Sequence, residues 1–245
     1  MKKLVFPFLG VLMLGLSGCM DKSGNMQDFS YIPAIVGLDF STTQPELITS
    51  VGDKLLAPTL PLFSELHEGD AILTFFTIYY DQQPSTDYII VSDLNWVNVT
   101  KKSSQPTPEG ASTTGDFDTP IESMEVFDVI TYDGGYRTVM FLVFQHLSVP
   151  NDQEFEYEMT YDFNYNSSET DDLPVIYIRA KKKGESSKAT ANVAYFYAFD
   201  MSNFISKHSG SEKEISFNLY YKTGEEDEDD VYKEWSENPV RIRFE

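Results

Sequence analysis

The sequence predicts an all-β protein, and three observations predict it. Helical periodicity is weak from Tyr31 onward, strand-length apolar runs recur between clusters of Gly, Pro, Asn, Asp and Ser, and the segment FEYEMTYDFNY alternates apolar and polar residues without a break. In order along the chain, the first half offers strands over 34–40, 47–51, 54–57, 70–80 and 87–100, the last two joined by a hairpin-like connection at Asp81-Gln82-Gln83-Pro84-Ser85. The stretch KKSSQPTPEGASTTGDFDTP then breaks the pattern, because it carries almost no large apolar side chain. A structureless loop of that length is unusual inside a compact domain, so a boundary is expected there, with a first domain over 31–105 and a linker over 106–120.

The second half, 121–245, predicts strands near 121–132, 137–148, 155–165, 174–181, 192–201, 214–222 and 239–244. In FEYEMTYDFNY the residues Phe155, Tyr157, Met159, Tyr161, Phe163 and Tyr165 fall on one face, with Glu156, Glu158, Thr160, Asp162 and Asn164 on the other. Ile215, Phe217, Leu219 and Tyr221 alternate in the same way, as do Val240, Ile242 and Phe244. By contrast VMFLVF, 139–144, is continuously apolar, as expected of a central strand covered on both sides. Several such strands with turn signals between them predict an antiparallel β-sandwich.

The first 18 residues read as an export signal. Lys2 and Lys3 precede an apolar run over 4–16, about a dozen residues and hence of signal-peptide length, where a bilayer span takes about twenty. At its end Leu16, Ser17, Gly18 and Cys19 resemble the bacterial lipobox. That resemblance implies cleavage before Cys19 and diacylation of its thiol, which anchors the chain because two acyl chains hold firmly where one does not. Cys19 is the only cysteine, so neither a disulfide framework nor a thiolate metal site is expected. The polar stretch that follows, with residues 19–30 taken as a flexible tether, is expected to lift the folded part off the membrane.

The net charge of −21 argues against a nucleic-acid partner. Between residues 31 and 120 the only basic side chains are Lys54, Lys101 and Lys102, too few to neutralise a phosphate backbone. His67, His146 and His208 stand in no metal-binding spacing, and the sequence holds neither a GxSxG elbow nor a Walker loop. His146, at the end of an apolar strand, reads as a packed residue. The acidic run 225–230 lacks the spacing of a calcium loop and reads as a solvated loop. No catalytic residue, metal ligand or cofactor is therefore expected. Trp96, Trp235 and the many tyrosines read as core filling and sheet cover, with too few aromatics on the polar faces to mark a sugar platform.

Several features together resemble the NigD-like lipoproteins of Bacteroidota: the lipobox, Glu68-Gly69-Asp70-Ala71-Ile72-Leu73 opening a long strand, the alternation of the second half, and Tyr195-Phe196-Tyr197-Ala198-Phe199-Asp200 before a polar turn. The resemblance implies a small OB-type barrel followed by a β-sandwich, and a bacteriocin-associated setting without an established mechanism. The expected role is a non-catalytic interaction module, lipid-anchored at the cell envelope through Cys19. The outer membrane is its expected place, facing periplasm or exterior, and an envelope protein or peptide its expected partner. The alternative is a carbohydrate-binding accessory lipoprotein at the surface.

Overall fold

The structure, a computed structural model, describes residues 25–50, 54–61, 64–84, 88–107, 117–132, 137–162, 173–184, 189–208, 214–223 and 232–243. They fall into two compact units that meet in the chain between Lys101 and Lys102. Cys19 with its lipobox, the acidic run 225–230, and Phe163, Tyr165 and Phe244 lie outside the described residues.

The first unit is one sheet built from β1 (Met26–Asp39), β2 (Gln44–Ile48), β3 (Leu55–Leu56), β4 (Ala71–Tyr79), β5 (Ile89–Ile90) and β6 (Ser92–Asn98). Their order across the sheet is β5-β3-β2-β1-β4-β6. The stretch expected as one strand over 87–100 is thus two, and they occupy opposite edges of the sheet. Only Val91 separates them, and its amide donates to the Leu56 carbonyl at 2.9 Å. Edges joined by a single residue cannot stay apart, so the sheet curls into a half-barrel drawn together at that corner. The expected hairpin at 81–85 is a 3-10 turn, Tyr80–Gln82, followed by Gln83, whose amide ties the Tyr79 and Ile90 carbonyls together.

Inside the curl lie Ala34, Val36, Leu47, Leu55, Leu66, Ile72, Phe76 and Val91, with Trp96 packed at the margin. Entry into β4 is set by Gly69, whose φ of +87° lies in the left-handed region that suits glycine. Its amide donates to Val36 and its carbonyl accepts from the Lys101 ammonium.

The second unit contains β7 (Thr100–Ser103, where the chain crosses between units), β8 (Gln105–Thr107), β9 (Ser123–Tyr132), β10 (Arg137–Pro150), β11 (Glu154–Asp162), β12 (Val175–Lys183) and β13 (Thr190–Asp200). It continues with the helix α1 (Ser202–His208), β14 (Glu214–Lys222), β15 (Tyr232–Glu234) and β16 (Val240–Arg243). One sheet runs β7-β13-β10-β9; the other runs β15-β14-β12-β11-β8, with β16 also on β14. Most pairs are antiparallel, while β12 with β14 and β11 with β8 run parallel.

Side chains from the inner faces of both sheets share one core, which makes this unit a sandwich. Met140, Leu142 and Phe144 of β10 meet Tyr157, Met159 and Tyr161 of β11 there, as the alternation requires. β10 is the central strand that its apolar run predicts: Val139, Met140, Phe141 and Leu142 are all fully buried.

Two expectations about irregular segments are corrected. Residues up to 30 were expected as a tether, yet β1 begins at Met26 and pairs with Tyr79. The linker expected over 106–120 contributes β8 and an isolated bridge from Thr119 to Ala180. In both places backbone hydrogen bonds to a neighbouring strand outweigh weak local strand preference, because edge pairing asks little of the side chains.

Candidate functional site

The two faces of the sandwich sheet built on β11, β12 and β14 differ in kind. On the inner face, Phe144 stacks on Tyr157 with ring centroids 4.0 Å apart and 12° between planes, and His146 stacks on Phe155 at 3.9 Å and 3°. His146 Nε2 and the Tyr157 hydroxyl are 2.8 Å apart in the buried interior. The Pro120 backbone favours the charged ring, but burial outweighs it. Burial lowers the His146 pKa to about 4 and raises that of Tyr157 well above its ordinary value. Nε2 and the tyrosine hydroxyl thereby satisfy each other inside the core.

The outer face carries tyrosines that the core does not use. Tyr177 of β12 lies directly across from Tyr220 of β14 in the parallel register, and Asn218 lies across from Val175. The Tyr177 and Tyr220 rings are 6.0 Å apart, inclined at 37°. Tyr232 of β15 stands edge-on to Tyr177 at 5.1 Å and 74°. All three are partly exposed. Their strands are pinned by Asn238, whose side-chain amide exchanges two 2.9 Å hydrogen bonds with the Leu219 backbone, and by the Trp235 amide, which donates to the Leu219 carbonyl.

Charged groups continue along the same face. Glu158 of β11 opposes Arg179 of β12, and the two form an ion pair of 2.5 Å with little exposure on either side. Glu156 opposes Lys181 and Glu154 opposes Lys183, so opposite charges face each other along the strand pair. Glu156 also accepts from Lys102, which holds its carboxyl below the ordinary range. Glu234 lies across from Tyr220 and its Oε1 accepts from Asn238 at 3.3 Å. Burial raises the Tyr177 pKa, with help from Tyr220 and the Asp162 carboxylate.

Of the aromatics weighed from sequence, Trp235 is buried in the sandwich core and Trp96 packs on the first core, so both fill space as expected. On the polar face, expected to carry too few aromatics to mark a sugar platform, stand Tyr177, Tyr220 and Tyr232. In VIYIRA and FNLYY each wet-face tyrosine sits between core residues, and the apolar run masks its position. Reading every second residue of the polar face would have found Tyr177 and Tyr220; their meeting depends on a parallel pairing that no local pattern announces.

The histidines go to three separate places. His146 is packed. His67 is exposed, its backbone amide donating to Asp70 in the turn before β4 at 2.8 Å. His208 ends α1 against Phe204 and Tyr161, and burial lowers its pKa to about 4. Among the described residues no three His, Cys, Asp or Glu side chains converge as metal ligands would.

In the first unit a hub organises the β1–β2 turn. Asp39 accepts from the Ser41 amide and hydroxyl, from the Thr42 hydroxyl and from Lys54 at 2.6 Å. Lys54 holds its carboxyl well below the usual carboxylate range. Phe40 beside it is 79% exposed.

No family model and no curated protein matches the chain. Solved structures do. An uncharacterized protein from Parabacteroides merdae ATCC 43184 superposes with a TM-score of 0.69 at 17% identity, over 89% of this chain and 99% of that one. The chain shares the fold of these bacterial proteins. A "putative lipoprotein" from Bacteroides fragilis NCTC 9343 has a TM-score of 0.53 at 13% identity, covering 89% of this chain and 99% of its own. A NigD-like immunity protein from Bacteroides caccae ATCC 43185 has a TM-score of 0.50 at 12% identity, covering 88% and 96%. The resemblance read from the residues is thus met at the level of architecture.

Proposed function

We propose that this chain is a lipid-anchored protein of the bacterial cell envelope that works as a non-catalytic binding module, with the tyrosine face of the sandwich as its binding surface. The observation that carries the role is that face: partly exposed aromatic rings, held on paired strands with Asn218 and Glu234 on the same face, where the sandwich core makes no use of them. Large aromatic side chains with a polar tip are favoured at recognition surfaces because they bury much area at little entropic cost. The anchor rests on Leu16, Ser17, Gly18 and Cys19. The names of two structural neighbours, a lipoprotein and an immunity protein, support an envelope setting and a bacteriocin-associated role. The outer membrane, facing periplasm or exterior, is the proposed place.

Two baits of the full chain, wild type and Tyr177→Ala/Tyr232→Ala, test the role in a pull-down from envelope extract read by mass spectrometry. A reproducible partner held by the wild type and lost by the variant is expected; identical retention by both would remove the face from the account. For the anchor, Cys19→Ala is expected to release the chain from the membrane fraction. Unchanged retention would contradict it.

A further inference from the structure

A chain held to a bilayer at Cys19 keeps one end of its first unit close to that bilayer. Seven residue steps separate Cys19 from Met26, where β1 begins, so even a fully extended connection puts the start of β1 within roughly 25 Å of the acylated residue. Asp39, at the other end of this fourteen-residue strand, lies roughly 40 Å further along it. We propose that the Met26 end of the first unit, with Met26 and Tyr80 as its contact residues, rests on the surface of an electrically neutral bilayer. The proposal depends on reading Cys19 as a lipid anchor.

The side chains at that end suit an interface. Met26 and Tyr80 are each 50% exposed, two of the four large hydrophobic side chains that the described residues leave exposed. They come together because Met26 pairs with Tyr79 and the Tyr80 amide donates to the Asn25 carbonyl at 2.7 Å. The Tyr80 ring is fixed at its far end as well, its hydroxyl donating to Gln27 at 2.8 Å. Tyrosine is favoured at the boundary between lipid and water because it joins an apolar ring to a polar tip. Two such side chains are too few to hold a free chain on lipid. Tethered within roughly 25 Å, they meet the surface at an effective concentration of about millimolar order, at which a weak contact is occupied.

Charge selects the kind of lipid. Asp28, Asp81 and Asp93 stand at the same end, and among the described residues 25–30, 77–84 and 88–95 none is Lys or Arg. Anionic headgroups recruit proteins through such cations and repel carboxylates, so a zwitterionic headgroup is the surface this end fits. Phe40, just past the other end of β1, is 79% exposed. If exposure alone decided, Phe40 would meet lipid first; the tether favours Met26 and Tyr80 instead.

The chain acylated at Cys19 in phosphatidylcholine vesicles, carrying a nitroxide at Gln82→Cys or at Phe40→Cys, tests this. Gln82 is exposed two residues from Tyr80, and acylation takes the only native thiol, so each label is single. Oxygen, which concentrates in lipid, and a water-soluble nickel chelate report the surroundings of the label. Relative to the same labelled chain with Cys19→Ser in buffer, the label at 82 is expected to gain oxygen contact and lose nickel contact, and the label at 40 to change in neither. The gain should vanish in Met26→Ser/Tyr80→Ser, which still floats with the vesicles on its acyl chains, and should shrink when phosphatidylglycerol is added. No gain at 82, an equal gain at 40, a gain kept by the double variant, or one that needs phosphatidylglycerol would overturn the proposal and leave the anchor standing. A chain that does not float with the vesicles at all removes the anchor reading, and this proposal with it.

Discussion

The two faces of one sheet use the same residue type for opposite ends. On the inner face Tyr157 is fully buried, stacks on Phe144 and spends its hydroxyl on His146. On the outer face Tyr177, Tyr220 and Tyr232 contact one another at 5.1 and 6.0 Å and remain partly exposed. A tyrosine whose ring and hydroxyl are both enclosed contributes to folding, whereas one left partly exposed can also meet a ligand. Strand alternation alone produces the split, since neighbouring residues such as Tyr220 and Tyr221 point to opposite faces.

The largest effect that would sharpen this contrast is Tyr157→Ala. Removing a fully buried aromatic costs about 3–5 kcal/mol through lost burial and the cavity left behind, and His146 loses its partner as well. Denaturant unfolding should show a midpoint lowered by that amount; a loss below about 1 kcal/mol would mean that the core closes over the gap.

Next comes pH. The His146 pKa falls from 6.5 to about 4 on folding because burial disfavours the imidazolium. The unfolded chain therefore binds a proton that the folded chain refuses. This contribution to stability is fully present above about 6.5 and is lost as the pH falls from there through about 4, with a slope approaching about 1.4 kcal/mol per pH unit. His208, lowered likewise to about 4, adds to the slope. Unfolding free energy measured across this window should fall less steeply in His146→Gln than in the wild type; equal slopes would show that His146 protonates freely in the folded state.

A smaller change isolates the hydroxyl. Tyr157→Phe keeps the ring stack with Phe144 but leaves Nε2 of His146 buried without its hydrogen-bond partner, at a cost of about 1–3 kcal/mol. The smallest effect is expected on the outer face, where Tyr220→Ala should cost no more than about 1 kcal/mol. A loss as large as that of Tyr157→Ala would erase the distinction between the faces.

How much of this could be read from residues follows from the range of the interactions. FEYEMTYDFNY placed Phe155, Tyr157, Met159 and Tyr161 in the core because strand alternation is local. The continuous run of β10 gave a strand buried on both faces for the same reason. Pairings between distant segments were out of reach. Val91 dividing one expected strand between two sheet edges, and Gln105–Thr107 pairing with β11, depend on partners far along the chain. The outer tyrosines are the functional instance of this: Tyr177 and Tyr220 meet only because β12 and β14 run parallel. Helix α1 went unanticipated because it is seven residues long, too short for helical periodicity to register.

The central claim is that the outer tyrosines serve a ligand and the inner ones serve the fold. Urea unfolding of Tyr177→Ala/Tyr220→Ala/Tyr232→Ala beside Tyr157→Ala, with the triple variant also used as bait in the envelope pull-down, tests it most directly. The account expects the triple variant to unfold near the wild type and to lose the partner that the wild type retains, and Tyr157→Ala to unfold at much lower urea. A triple variant that unfolds as early as Tyr157→Ala, or that still binds as the wild type does, would contradict it.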